Sequence, residues 1–470
     1  VNKIDIASAA DRKNNLPKWM ATMMACIFSL QWTFAMLPHT LIIRNISFVV
    51  GAVLGLYIIS KNYRLLFQRN AIPVWLIIFL FAWMTVHLLF IGSNHALQLA
   101  EFESLWKRAA LGTLFAIGFG ISISLLNSDG NFGGNQSREW RIVVAGLCAP
   151  TIIYFIKYGA TFLLPTIGLK APIYLTLFYG SAEFYVAKIA YVFFCLPLLA
   201  IALGMLAENL KKSGAASTSD IRQRWFWLFA AMAVMGVFIC ENIKNGTIYS
   251  AVLITIFMVS VLKNGLYKLS KSNLKMIAVV CLAGVIFMAH NFRSNPSWGT
   301  LLADYEVASQ ISPDIVWKTQ DPYYPENKYG VTVSITNFDR FFYATTGFHL
   351  LESRLMGYGL VQSSFGHLAR DRWPNAPLIQ SHSGWLDLVL GLGIPGVILL
   401  LLSSGLAIRN IAPYPKPWST FGVWGLGSIL LLYITTEVAQ KNYVDTFAWF
   451  IVLAASLSFL PLNQAAKASN

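Results

Sequence analysis

Charge is what this sequence has least of. Asp, Glu, Lys and Arg make up 12% of its 470 residues, with only 21 acids among them. A water-soluble domain carries about 25% charged residues, so a soluble globular chain is excluded. Cysteine is also scarce. Cys26, Cys148, Cys195, Cys240 and Cys281 each fall inside an apolar run, which speaks against a disulfide framework or thiolate metal site and for small buried hydrophobes. The acids form no Asp-x-Asp pair, and the histidines no His-Glu-x-x-His. No Walker loop is present either, so neither a metal, nor nucleotide hydrolysis, nor a redox cofactor is expected.

What is abundant is apolar sequence: 56% of residues are hydrophobic, and the mean hydropathy is +0.58. The apolar runs approach the roughly 20 residues that cross a bilayer as a helix. Short alternating strands, the mark of a membrane barrel, do not recur. The fold class expected is therefore an all-α polytopic membrane protein. About twelve spans are read, near 19–37, 45–60, 71–93, 108–126, 141–157, 186–206, 225–242, 247–262, 276–290, 384–406, 420–437 and 446–462. The first follows a basic start (Arg12, Lys13, Lys18) and is too long for a signal-peptide core, so it reads as an uncleaved span.

One polar stretch interrupts this series and divides the chain into residues 1–290 with nine spans, a loop at 291–383, and residues 384–470 with three more. With the N-terminus inside, the short loops rich in Lys and Arg fall on the cytoplasmic side, as the positive-inside rule requires. The 291–383 loop then faces outward. Further basic residues remain on the outer side, among them Lys188, Lys244, Arg293 and Arg340. The outer acids are too few to neutralise them, which points to an anionic, phosphorylated lipid partner and to no nucleic acid.

Within the loop, Asn337 to Met356 carries apolar residues at helical spacing (Phe341, Phe342, Thr345, Phe348, Leu351, Leu355). An amphipathic helix is expected there, capped by Asn337 or Asp339, with Arg340 in its first turn and Gly357-Tyr358-Gly359 ending it. A second short helix is expected near Gln362–Arg370. The loop ends in Ser381-His382-Ser383, at the seam with the next span and one turn before Asp387. Of seven histidines, His382 alone stands where a lipid-borne and a water-borne substrate meet. Histidine suits general-base work near neutral pH.

Ser381-His382-Ser383, followed by Leu386, Leu390 and Gly393-Ile394-Pro395-Gly396, resembles the signature of the bacterial O-antigen ligase family. Gly357-Tyr358-Gly359 is similar to that family's Gly-x-Gly segment, and Arg340 stands at its upstream arginine position. About twelve spans with one large late loop agree with the family along the whole chain. The resemblance implies a C-type glycosyltransferase fold with a large periplasmic loop, multi-pass in the bacterial inner membrane, its active site on the periplasmic face. It implies transfer of O-antigen glycan from undecaprenyl pyrophosphate to lipid A-core oligosaccharide in lipopolysaccharide biosynthesis, with inversion and without metal. His382 would be the catalytic base. Arg340, Lys188, Lys244 and Arg293 would hold the donor pyrophosphate, and Glu437 and Asp387 would orient His382 or bind acceptor sugar. The family's Ser-Arg-Gly reads here as Lys244-Asn245-Gly246, a lysine one place off. O-antigen polymerases and protein O-oligosaccharyltransferases share the motif and the donor. A transporter of lipid-linked sugars is the reading from another class; it calls for internal repeats and mid-span charges.

Overall fold

The computed structural model describes residues 16–128, 137–177, 183–211, 217–263, 270–316, 324–376, 380–436 and 441–460. Among these the secondary structure is helical, with one isolated bridge between Glu326 and Thr332. Each apolar segment read from the sequence carries a helix. These are α1 (Lys18–Phe34), α2 (Leu41–Asn62), α3 (Arg69–Ile91), α4 (His95–Asn127), α5 (Arg138–Phe162), α6 (Lys188–Lys211), α7 (Thr218–Cys240), α8 (Lys244–Leu262) and α9 (Lys271–Ser294). Nine helices among the described residues, α2 to α9 and Gly384–Ile411, are long and apolar enough to cross a membrane. The chain is an all-α polytopic membrane protein.

Three of the expected spans come out shorter. Helix α1 has 17 residues, and Lys441–Ser456 has 16, about 24 Å at 1.5 Å per residue against a hydrocarbon core of about 30 Å. Trp418–Leu432 is shorter still and passes through a π-turn at Phe421–Gly425.

Helix α6 shows why the bundle packs as it does. Its sequence is apolar on every face, and 94% of its most apolar window is buried. A helix without a polar stripe has no preferred solvent side, so α6 takes the centre, against α5, α7 and α8. Polar residues mark where helices begin. Ser217 and Asp220 form a reciprocal capping box that starts α7, and the Ser137 hydroxyl accepts from the Trp140 amide to start α5.

The 291–383 loop folds over the bundle with a small core of its own. It contains α10 (Leu301–Gln310), α11 (Ile335–Glu352) and α12 (Ser364–Arg372), and it leads into α13 (Gly384–Ile411); α14 (Trp418–Leu432) and α15 (Lys441–Ser456) follow. Phe338, Phe342, Leu350, Tyr358, Phe365 and Leu368 pack there against Leu386 and Leu390 at the start of α13. Two sequence expectations shift. The buried stripe of α11 runs through Phe338, Phe342, Thr346 and Leu350, while Phe348 is 64% exposed. Helix α11 also starts earlier, after Ser334, so Arg340 lies in its second turn and neither Asn337 nor Asp339 caps it.

The glycines flanking this core mark a join between backbones. Helix α13 breaks at Gly393 (φ 71°). Pro395 has no N–H for the Gly391 carbonyl, which accepts from the Gly359 amide instead, at 2.8 Å. Nearby, the Tyr358 amide donates to Leu390 O at 2.7 Å and the Ile394 amide to Leu355 O at 2.9 Å. The Leu392 carbonyl accepts from the Trp83 indole at 2.7 Å. Broken backbone at membrane depth must be satisfied by protein, and the Gly357-Tyr358-Gly359 segment does this for α13. Gly357 holds φ 90°, and a Cβ there would lie 2.3 Å from the Gly393 nitrogen. Gly357→Ala is therefore expected to lower the melting temperature in detergent, with about 1–3 kcal/mol from the φ angle alone and more from the clash. Gly405→Ala, whose Cβ would meet open space, should leave the melting temperature unchanged.

Candidate functional site

His382 sits in a turn held from below. Ser383 caps α13, and Asp387, 1% exposed, accepts from the Ser381 hydroxyl at 2.6 Å and the Ser381 amide at 3.2 Å. The Ser381 hydroxyl in turn accepts from the Ser383 amide at 3.2 Å. Clamped on both sides, His382 takes a left-handed φ of 59°, a conformation that persists only where its surroundings impose it. Asp387 thus acts on the Ser381 side of the turn.

Helix α11 presents two faces to this region. Asp339 and Tyr343, one helical turn apart, face His382. The Tyr343 ring stacks on the imidazole with centroids 5.9 Å apart. Asp339 lies within electrostatic reach of His382 and accepts a hydrogen bond from Tyr324. Burial pushes the Asp339 carboxyl above the usual carboxylate range, opposed by His382 and the Tyr324 hydroxyl. Burial also raises the Tyr343 phenol, reinforced by Asp339.

Arg340 is the next residue on α11. It lies within electrostatic reach of Lys244 at the start of α8. Lys244 bonds the Ser297 hydroxyl and lies 5.8 Å from the Trp298 ring centroid. The Asp304 carboxylate also lies within electrostatic reach of Lys244. That carboxylate is fully buried and accepts from Thr300 Oγ1 at 2.8 Å, Asn337 Nδ2 at 2.9 Å and Asn327 Nδ2 at 3.0 Å. Asn337 also donates to the Ser297 carbonyl at 2.8 Å. Asp304 and Asn337 therefore tie α10, α11 and the Ser297 turn into one unit beside Lys244.

The other expected residues lie elsewhere. The Lys188 ammonium donates to the Glu241 carbonyl at 2.8 Å and stands 3.5 Å from its carboxylate. Arg293 is exposed in the last turn of α9. Glu437 lies outside the described residues. Other cations also have partners within the protein. Arg108 pairs with buried Asp445 at 3.0 Å, Lys328 with Glu306 at 2.9 Å, and Lys157 donates to the Phe184 carbonyl at 3.0 Å. Of the cysteines only Cys195 is fully buried, and Cys240 is exposed.

Two buried acids are structural. Asp304 is one. Glu101 is another: its two carboxylate oxygens accept from the Val361 and Gln362 amides, each at 2.8 Å. Charge-assisted bonds of this kind are the strong ones, and they fix the segment between Gly359 and α12. No sequence signal marked either residue, because their partners are remote in the chain. Tyr343 was one turn from a named residue, Asp339, yet only the turn at His382 shows what it stacks on. Among the described residues no three His, Cys, Asp or Glu side chains gather into a set that could hold a metal ion.

No protein-family model matches this chain, and no curated protein matches it in sequence. The site therefore rests on its own chemistry. It brings His382 together with Tyr343 and Asp339 of α11 at the start of α13.

Proposed function

We propose that this protein is a membrane glycosyltransferase of the O-antigen ligase kind, with twelve spans, a periplasmic 291–383 loop and a C-type fold in the bacterial inner membrane. It moves a glycan from undecaprenyl pyrophosphate to lipid A-core oligosaccharide. The observation that supports this reading is the left-handed turn that clamps His382, with Tyr343 of α11 stacked on its ring.

The chemistry follows from those parts. The donor is already activated, since a lipid pyrophosphate is a good leaving group. The acceptor hydroxyl loses its proton to His382 as its oxygen attacks the anomeric carbon. The bond from that carbon to the pyrophosphate oxygen breaks on the opposite face, and the configuration inverts. Charge grows on the departing pyrophosphate, where fixed cations act as a preorganised clamp. Lys244 and Arg340 supply that clamp. Asp339, within electrostatic reach of the ring, favours the imidazolium that forms, and the stacked Tyr343 holds its plane.

Purified protein given the lipid-linked glycan and lipid A-core should therefore transfer glycan after exhaustive chelation. Loss of transfer with EDTA, restored by Mg²⁺ or Mn²⁺, would overturn the clamp. Reporter fusions after Lys212 and after Asn327 should report opposite sides of the membrane, and the same side for both would remove the periplasmic site. A polymerase differs only in its acceptor. Lipopolysaccharide from a deletion strain separates the two: a ligase mutant loses all capped lipopolysaccharide, whereas a polymerase mutant keeps a core with one repeat.

A further inference from the structure

Far from His382, a groove of about 580 Å³ runs between α5 and α7. It lies near the opposite membrane surface. Helix α7 runs from Arg222 in its second turn to Cys240, and three residues past its cap, Glu241, comes Lys244, which bonds Ser297 in the loop. Arg222 therefore marks the end away from the loop.

The lining of the groove is sorted by depth. Arg141 and Arg222 stand at the mouth, each within the first two turns of its helix. Eleven residues further along the same helices, about 16 Å deeper, the lining is Ile152 and Ala233. Between them it is mostly apolar, with Val144, Phe226 and Phe229 among the side chains; Gln223 lies beside Arg222 and Thr151 near the deep end, and the described lining includes no carboxylate. Both helices also begin at this end, so their positive dipole ends add to the two guanidinium charges.

A slot with cations at its mouth and an apolar interior fits an amphiphile with an anionic head. The geometry points to a binding site for an anionic phospholipid of the leaflet away from the loop. Its phosphate is held between Arg141 and Arg222, and one acyl chain lies along the groove toward Ile152 and Ala233. In the orientation proposed above this is the cytoplasmic leaflet. The occupant is a membrane lipid rather than the glycan carrier, because the Lys244–Arg340 site faces the other surface.

Native mass spectrometry of the full-length protein, released from micelles containing phosphatidylglycerol or phosphatidylcholine, tests this. Wild type should retain phosphatidylglycerol over phosphatidylcholine by roughly 25-fold, about fivefold for each basic side chain near the surface. Arg141→Gln with Arg222→Gln should abolish the preference, and Arg141→Lys with Arg222→Lys should keep most of it, which separates lost charge from misfolding. Ala233→Phe, filling the groove with both arginines in place, should also lose phosphatidylglycerol. Equal retention of the two lipids by wild type would overturn the site. So would a preference that survives in the double Gln variant, or unchanged retention in Ala233→Phe, since the cations would then act without the groove.

Discussion

If the proposed function holds, His382→Ala is expected to lower glycan transfer by about 100- to 10,000-fold, the usual worth of a general base, while the protein should still insert, fold and bind the lipid-linked donor. On the function proposed above, binding should persist because the donor's phosphates would be held by Lys244 and Arg340 rather than by His382. His382→Gln fills similar space but takes no proton, and it fails as well. The controls are His349, exposed beside Glu352, and His367, stacked on Tyr358; alanine at either leaves transfer largely intact. Single-turnover transfer by purified variants, with donor binding measured separately, decides the matter. Transfer by His382→Ala at near the wild-type rate would remove the base assignment. Lipid translocation by wild type with no transfer in detergent would favour a transporter.

Arg340→Ala is the second large effect. Removing one preorganised donor from a developing charge costs about 100- to 1,000-fold in rate. Here the loss should appear in both donor affinity and turnover, because the pyrophosphate is charged before and during the reaction. Arg340→Lys recovers only part, since a point charge replaces a planar fork. Lys244→Ala weakens the same site, and the double variant should lose less than the product of the single losses, as expected for residues sharing one ligand. Arg354→Ala, on the same loop after the end of α11, is the control. Mild, equal losses at Arg340, Lys244 and Arg354 would return all three to the role of solvated surface charges.

The turn at His382 shows how much of the site was legible. Its position at the seam between loop and span follows from composition, and Ser383 as the start of α13 follows from capping preference. The role of Asp387 was half legible. One turn of spacing placed it near His382, but its bonds run to Ser381. On α11 the helix was legible and its buried face was not. Phe341, Phe342 and Phe348 share a general apolar character, and the core formed by α12 and Leu386 selects Phe338 and Phe342 for the inside. Lys188 and Lys244 looked alike as outer lysines. Glu241 separates them by pairing with the first.

The sequence by itself determined that this chain is helical and suited to a membrane, roughly where its apolar helices lie, and that its one long polar stretch ends at a histidine. Those properties depend on composition and on neighbours up to about four residues apart, which periodicity and capping expose directly. Only the tertiary structure decided which acids are structural, which cations meet, and how α13 is broken. Glu101 grips Val361 and Gln362 across 260 and 261 residues of chain, and Asp304 gathers Asn327 and Asn337 from 23 and 33 residues away. Gly357 and Gly359 looked like the stop of a helix, yet they are the backbone that satisfies the open carbonyl and amide groups around Gly393. Such groups declare their partners only once burial has removed water as the alternative.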